Sequence, residues 1–401
     1  MQVGLVLIGL FALAAWLVLL AGRGGFWRAR ERLDQDGPEL AAWPAVVAVV
    51  PARDEAAVIE RTAAALLAQD YPGPFSVILV DDHSSDGTAR LARRAAESCG
   101  RSGRLTVAEA RPLPPGWTGK LWALAEGLRR GEAEAPQAGY VLFTDADILH
   151  DPGSLARLVA KAEREDRDLV SLMVLLRCDS PWERLLVPPF VFFFAMLYPF
   201  AWVGDPQART AAAAGGCMLV RRAALARAGG LAPIRGEIID DCALARLIKR
   251  DGRAGGPGRI WLGLTHRVTS IRPYESLASL WAMVSRSAFA QLGYSAGLLA
   301  ATLAGMAAVF LAPAGLALAY PWHGSGLAAG LGAAAWALMA VTLAPILRLY
   351  GQPRAMALLL PAAAALYCAM TLSSAIQHWR GRGGRWKGRV EAGRAGPGAR
   401  P

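Results

Sequence analysis

The chain has 401 residues, a formal charge of +11, 54% hydrophobic residues and a mean hydropathy of +0.31. Its length allows one large domain or two ordinary ones, and its hydropathy is high for a soluble protein. Five cysteines (Cys99, Cys178, Cys217, Cys242, Cys368) form no CxxC and leave an odd count, which excludes a disulfide framework or a zinc site as readable signals.

Residues 1–22, "MQVGLVLIGLFALAAWLVLLAG", contain no charge and are long enough to span a bilayer. They lack the basic start and small-residue cleavage site of a secretory signal, so an uncleaved anchor is expected. Arg23, Arg28, Arg30 and Arg32 follow in a basic linker, 23–44, and place what comes next in the cytoplasm by the positive-inside rule. The expected location is the cytoplasmic membrane, with a catalytic domain facing the cytoplasm.

"AVVAVVP" (45–51) reads as a buried parallel strand and "EAAVIERTAAALLAQD" (55–70) as a helix with Ile59, Ala63, Leu66 and Leu67 on one face. "FSVILVDD" (75–82) is a second strand, "HSSDGT" a turn, and Thr88 to Glu97 a helix. "LTVAEA" (105–110), "LWALAEGLRRG" and "YVLFTDAD" (140–147) continue as strand, helix, strand. This alternation predicts an α/β domain whose parallel sheet carries helices on both faces, spanning 45–295.

Acids stand at three of the predicted strand ends: Asp54 and Glu55, Asp81 and Asp82, Asp145 and Asp147. Ligands bind such sheets at the carboxyl ends of the strands. Any one acid there could be an N-cap or turn residue, but three together argue for a site. In an extended segment Ala146 would point away, leaving Asp145 and Asp147 on one face, where paired carboxylates call for a divalent cation. No GxGxxG follows the first strand and no GxxxxGK[ST] occurs, so the acids suggest contacts to a base and ribose, with metal neutralising the phosphates.

Residues 185–203, "LLVPPFVFFFAMLYPFAWV", are strongly apolar, but Pro188, Pro189 and Pro199 argue against a straight helix. A crossing here would also put Asp241 across the membrane from Asp147. The segment therefore reads as interfacial, lying on the bilayer and helping a lipid enter, with a hydrophobic core helix as the structural alternative. The uncharged blocks 296–320, 325–347 and 355–376 each suffice for a span, giving a membrane region, 296–376, of two to three helices. The basic tail, 377–401, reads as topology and anionic-lipid contact rather than nucleic-acid binding. Three late crossings would leave that tail outside, against the positive-inside rule. Either one segment is re-entrant or the tail is an exception.

"VVAVVPARDEAAVIERTAAALLAQDYPGPFSVILVDDHSSDGT", "TDADI" and "IIDDCALARLIKRDG" (238–252) together resemble family 2 glycosyltransferases of the GT-A fold, a mixed, mainly parallel sheet flanked by helices. "PPGWTGKLWAL" (114–124), "AAGGCMLVRR" (213–222) and "RPYESLASLWAMVSRSAFAQLGYS" (272–295) look most like the hopene-associated members. The resemblance implies a nucleotide-sugar donor, a UDP-sugar first among them, and Mg²⁺ or Mn²⁺ as cofactor. It implies that Glu55 and Asp82, with Asp81, contact base and ribose, that Asp145 faces ribose and diphosphate, and that Asp147 ligates the metal. Lys120 matches a basic position near the donor. Asp241 matches the catalytic base, with an N-cap as its structural alternative. Asp240 stands where the family usually has Glu, on the acceptor or diphosphate side.

In "MVSRS" (283–287) Arg286 matches the Arg of the processive members' QxxRW, while Met283 and Ser287 replace its Gln and Trp. This favours transfer of a single sugar with inversion. Trp281 and Phe289 read either as contacts to a lipid acceptor or as packing. His83 reads as a turn residue and His266 as structural. The leading expectation is a single-sugar transferase acting on a lipid, a hopanoid among the candidates. The rivals are a processive polysaccharide synthase and a non-enzymatic membrane scaffold.

Overall fold

The computed structural model describes residues 2–35, 40–386 and 389–390. Of the expected basic tail, Lys387, Arg394 and Arg400 lie outside the described residues. The chain forms two compact units. One comprises Met1–Arg30, Cys178–Ala201 and Tyr274–Gly383; the other comprises Glu31–Arg177, Trp202–Pro273 and Gly384–Pro401.

The second unit is the α/β one. Its strands are β1 (Val46–Ala52), β2 (Phe75–Asp81), β3 (Leu105–Glu109), β4 (Tyr140–Thr144), β5 (Ile148–His150), β6 (Leu169–Leu175), β7 (Cys217–Arg221) and β8 (Ile260–Ser270). Among the described residues they form one sheet in the order β3-β2-β1-β4-β7-β6-β8-β5. β1 runs parallel to β2 and β4, β2 to β3, and β6 to β8; β7 is antiparallel to both its neighbours, and β5 is antiparallel to β8. The expected mixed, mainly parallel sheet with flanking helices is therefore what the chain builds.

Every residue of β1 is buried, which is why its sequence is apolar without alternation. The helix Gly119–Glu134 lies close on this sheet. A Cβ on Gly127 would come within 2.3 Å of Val49 Cγ1, so glycine sets that approach. Thr88, which opens the helix Thr88–Ser98, accepts a hydrogen bond on Oγ1 from the buried backbone N–H of Glu55 at 2.8 Å. That bond ties the chain leaving β1 to the chain leaving β2.

The first unit is helical. Among the described residues four helices are long and apolar enough to cross a membrane: Gln2–Gly22, Ala296–Leu318, Gly326–Leu349 and Arg354–Trp379. Trp16, fully buried, donates its indole N–H to Val309 O at 2.8 Å and meets Phe310 edge-on. Val309 lies in a π-helical turn, Ala307–Leu311, and Trp16 supplies a carbonyl there with a donor.

Pro188 and Pro189 both lie inside a helix. A continuous helix runs Pro181–Leu197 through both. Proline forfeits the backbone donor, but its fixed φ is helical, and burial outweighs the lost bonds. Leu186, Val191 and Phe192 are fully buried, and Ser180 with Glu183 forms a capping box at the start. The helix stops just before Pro199, where the residue preceding a proline is steered out of the helical region.

Trp281 lies in the helix Leu277–Ser285, half-buried, and Arg286 is exposed at its C-terminal cap. Phe289 is 1% exposed and packs on Tyr294, His378 and Trp379, which decides for packing over acceptor contact at that residue.

Candidate active site

β1, β2 and β4 are parallel neighbours, so their carboxyl ends open on one edge of the α/β unit. The acids there divide into those that build turns and those that face partners of opposite charge. Asp81 accepts the backbone N–H of Ser84 at 3.1 Å and its hydroxyl as well, which makes it a turn former. Asp54 has φ of 50° and accepts the Ser85 N–H at 2.9 Å. Asp82 is 2% exposed, and Arg53 reaches its carboxylate at 3.4 Å and donates to its backbone oxygen at 2.5 Å. Glu55 is also buried and accepts from Arg272 Nη2 at 2.6 Å.

Asp145 and Asp147 are not on an extended segment. β4 ends at Thr144, and Ile148 N–H donates back to Asp145 O at 3.2 Å, closing a turn over 145–148. The two side chains therefore take different partners. Lys120 Nζ lies 2.9 Å from Asp145 Oδ1. Asp147 Oδ2 accepts from Ser270 Oγ at 2.5 Å and lies 3.5 Å from Arg272 Nε. The expectation of a shared face fails because the chain must reverse at once into the short strand β5.

Lys120, in the first turn of the helix Gly119–Glu134, also lies 3.1 Å from Asp240 Oδ2. The ammonium approaches off the line of a hydrogen bond, so this buried oxygen has no hydrogen-bond partner among the described residues. Asp240 and Asp241 open the helix Asp240–Asp251, where the helix dipole favours negative charge. Asp241 is not the cap: Ile239 holds that position. Its Oδ2 instead accepts the Gly215 N–H at 2.9 Å and its Oδ1 the Cys242 N–H at 2.7 Å. A Cβ on Gly215 would lie 3.1 Å from Lys120 Nζ and 3.4 Å from Asp241 Oδ2, so glycine keeps this corner open.

Charge follows from this crowding. Burial, reinforced by Asp240, pushes the Asp241 carboxyl up to about 6, with Lys120 and the two backbone donors pulling the other way. Burial also raises Asp145; Lys120 opposes it, and Asp147 and Asp240 add to it. Burial alone would lower Lys120, but Asp145, Asp240 and Asp241 outweigh it and hold the ammonium charged. The site thus brings Lys120, Asp145, Asp240 and Asp241 into one cluster, with Asp147, Arg272 and Glu55 as a second. Asp82 with Arg53 stands beside the end of β1. Trp281 and Arg286 belong to the helical unit.

His83 takes a left-handed turn conformation with φ of 56°, and its Nδ1 lies 2.9 Å from Glu109. His266 pairs with Asp34 at 3.2 Å. Both are thus accounted for locally. Among the described residues no three His, Cys, Asp or Glu side chains converge on a metal position.

Residues 44–257, more than half of the chain, match the family model described as "Glycosyltransferase like family 2". The chain belongs to this family. A mannosyltransferase, PcManGT, from Pyrobaculum calidifontis, solved with GDP-Man and Mn²⁺, is 24% identical, covering 93% of this chain and 98% of that one with a TM-score of 0.55. At that identity the likeness establishes the shared GT-A fold. Glucosyl-3-phosphoglycerate synthase from M. tuberculosis is 20% identical over 66% of this chain and 87% of its own, with a TM-score of 0.41, too distant to carry an argument. No curated protein matches the chain.

Four residues of this candidate site were not singled out by sequence reasoning: Arg53, Gly215, Ser270 and Arg272. Arg53 and Gly215 sit inside motifs that carry the resemblance, and their position beside Asp54 and before β7 was the available signal. Arg272 opens the stretch 272–295 that carries the narrower resemblance, whereas Ser270 had no signal, because it meets Asp147 only through the pairing of β5 with β8.

Proposed function

We propose that this family member is a membrane-anchored, inverting glycosyltransferase that moves one sugar from a nucleotide-sugar to the hydroxyl of a lipid, with a hopanoid among the candidate acceptors. The observation that carries this reading is the half-buried Asp241 carboxylate, near Lys120 and Asp240 and held by the Gly215 and Cys242 N–H groups. A base must lie within reach of the proton it takes and be ionised at working pH. Asp241 is oriented by two backbone donors and ionises near neutrality.

In this reading Glu55 and Asp82 receive the base and ribose, and Asp145 orients the ribose and diphosphate. Asp241 takes the proton from the acceptor hydroxyl, whose oxygen forms a bond to the anomeric carbon as the bond to the diphosphate breaks. A single attack from the opposite face inverts that carbon. Lys120 keeps the carboxylates of this corner ionised and adds positive charge where the diphosphate leaves.

The residues fit a hard divalent cation such as Mg²⁺ or Mn²⁺. Such ions are held by one or two carboxylates together with substrate phosphates and water, rather than by an all-protein cage. Asp147 would supply one carboxylate, and Asp240 Oδ2, ion-paired with Lys120 but accepting no hydrogen bond among the described residues, is a second candidate oxygen. When bound, the cation would stabilise charge developing on the leaving diphosphate. The four long apolar helices support membrane anchoring and a lipid acceptor.

The test is Asp241→Asn in the full chain, with UDP- and GDP-sugars screened for transfer and for binding. GDP-mannose belongs in the screen because PcManGT binds it. Donor binding persists and transfer is lost. Unchanged transfer removes the base assignment, and a ladder of products by mass spectrometry would favour the processive alternative.

A further inference from the structure

The three residues 270–272 at the end of β8 grip the turn that carries Asp147. Ser270 Oγ donates to Asp147 Oδ2 at 2.5 Å, and Ile271 N–H donates to Asp147 O at 3.0 Å. Arg272 places Nε 3.5 Å from the same carboxylate oxygen and Nη2 2.6 Å from Glu55 Oε1. One guanidinium thus serves two carboxylates whose side chains are 9% and 12% exposed, while its own is 29% exposed.

A divalent cation on Asp147 Oδ2 would stand beside this guanidinium. Like charges at such separations cost several kcal/mol even at an effective dielectric of about 20. The carboxylate therefore serves either Arg272 or the cation well, but not both. A guanidinium released from Asp147 is suited to a diphosphate, which offers oxygen pairs that match its fork.

We propose that Arg272 is a resident counter-ion of the donor cleft: it holds Asp147 and Glu55 while the cleft is empty, and moves to the donor's diphosphate when Asp147 takes a divalent cation. Arg272 is a positioning residue in this scheme. The scheme rests on the reading of Asp147 as the metal ligand. It makes the protein a poor binder of metal alone, because the metal must first displace Arg272.

The test uses the full chain in detergent. Mn²⁺ binding without nucleotide is followed by loss of the free-ion electron paramagnetic resonance signal, and UDP or GDP binding without metal by calorimetry. Arg272→Gln should bind Mn²⁺ on the order of tenfold more tightly than the wild type, and the nucleoside diphosphate on the order of tenfold more weakly, within the usual range of coupling between ligands of one site. A merely structural role would weaken both. Mn²⁺ affinity equal to or below wild type in this variant overturns the proposal. If Arg272→Gln does not fold, Arg272→Lys is read instead. Lysine lacks the fork that sets one nitrogen against each acid, so its hold on Asp147 is weaker, Mn²⁺ alone again binds more tightly, and unchanged affinity overturns the proposal. Asp147→Asn separates the two ideas. If it retains Mn²⁺ binding, the metal assignment itself fails. If it loses Mn²⁺ while Arg272→Gln gains nothing, only the counter-ion role fails.

Discussion

Replacing Lys120 by methionine keeps the length of the side chain and removes its charge. The ammonium lies 2.9 Å from Asp145 and 3.1 Å from Asp240, with its side chain 16% exposed. Removing one partner of a buried ion pair costs about 3–5 kcal/mol. Asp145 is a third exposed and regains some hydration, so the lower end, about 3 kcal/mol, applies. For a unit of this size that lowers the thermal midpoint by roughly 6–12 °C. The loss depends on pH. Asp241 is raised from 3.8 to about 6, so the folded chain binds protons more readily than the unfolded one. Stability on this account falls as pH rises from about 4 to about 6, by about 1.4 kcal/mol for each pH step of one between those values. Lys120 opposes that rise, so Lys120→Met widens the window and deepens the fall. Thermal unfolding of the full chain in detergent should show the variant close to wild type near pH 4 and well below it at pH 7.5. Equal midpoints at both pH values, or a larger loss at the acidic one, would refute the reasoning.

The same carboxyl governs the rate. A base must be ionised, so kcat/KM should rise about tenfold per pH unit below about 6 and level off above; a profile flat from pH 5 to 7.5 excludes Asp241 as that base. Asp147→Ala should abolish Mn²⁺-dependent donor binding while the α/β unit stays folded, with a lowered thermal midpoint because Ser270 and Arg272 lose their buried partner; retained binding removes Asp147 from the metal site. Gly127→Ala should destabilise the α/β unit by about 1–2 kcal/mol, because overpacking at 2.3 Å from Val49 outweighs the gain in helix propensity of up to about 1 kcal/mol. A raised midpoint would show that the helix can lift off the sheet without loss.

The sequence by itself determined the elements whose signals are local. β1, β2 and β4 are short apolar runs with acids at or just after their ends, legible because buried parallel strands need apolar residues on both faces and ligands bind such sheets at the strands' carboxyl ends. The span-length helices are legible for the same reason: a bilayer demands some twenty uncharged residues in a row. What only the tertiary structure decided are contacts between distant residues and conformations that burial overrides. The turn over 145–148 separates Asp145 from Asp147, where sequence spacing put them on one face. The helix Pro181–Leu197 runs through two prolines because buried side chains outweigh two missing donors. Arg272 meets Glu55 across 217 residues and Ser270 meets Asp147 across 123. No periodicity records such pairs, because period and spacing report only neighbours along the chain. The charge of the site was also undetermined: Asp241 is an ordinary carboxyl in sequence, and only its burial beside Asp240 and Lys120 moves its ionisation toward neutrality.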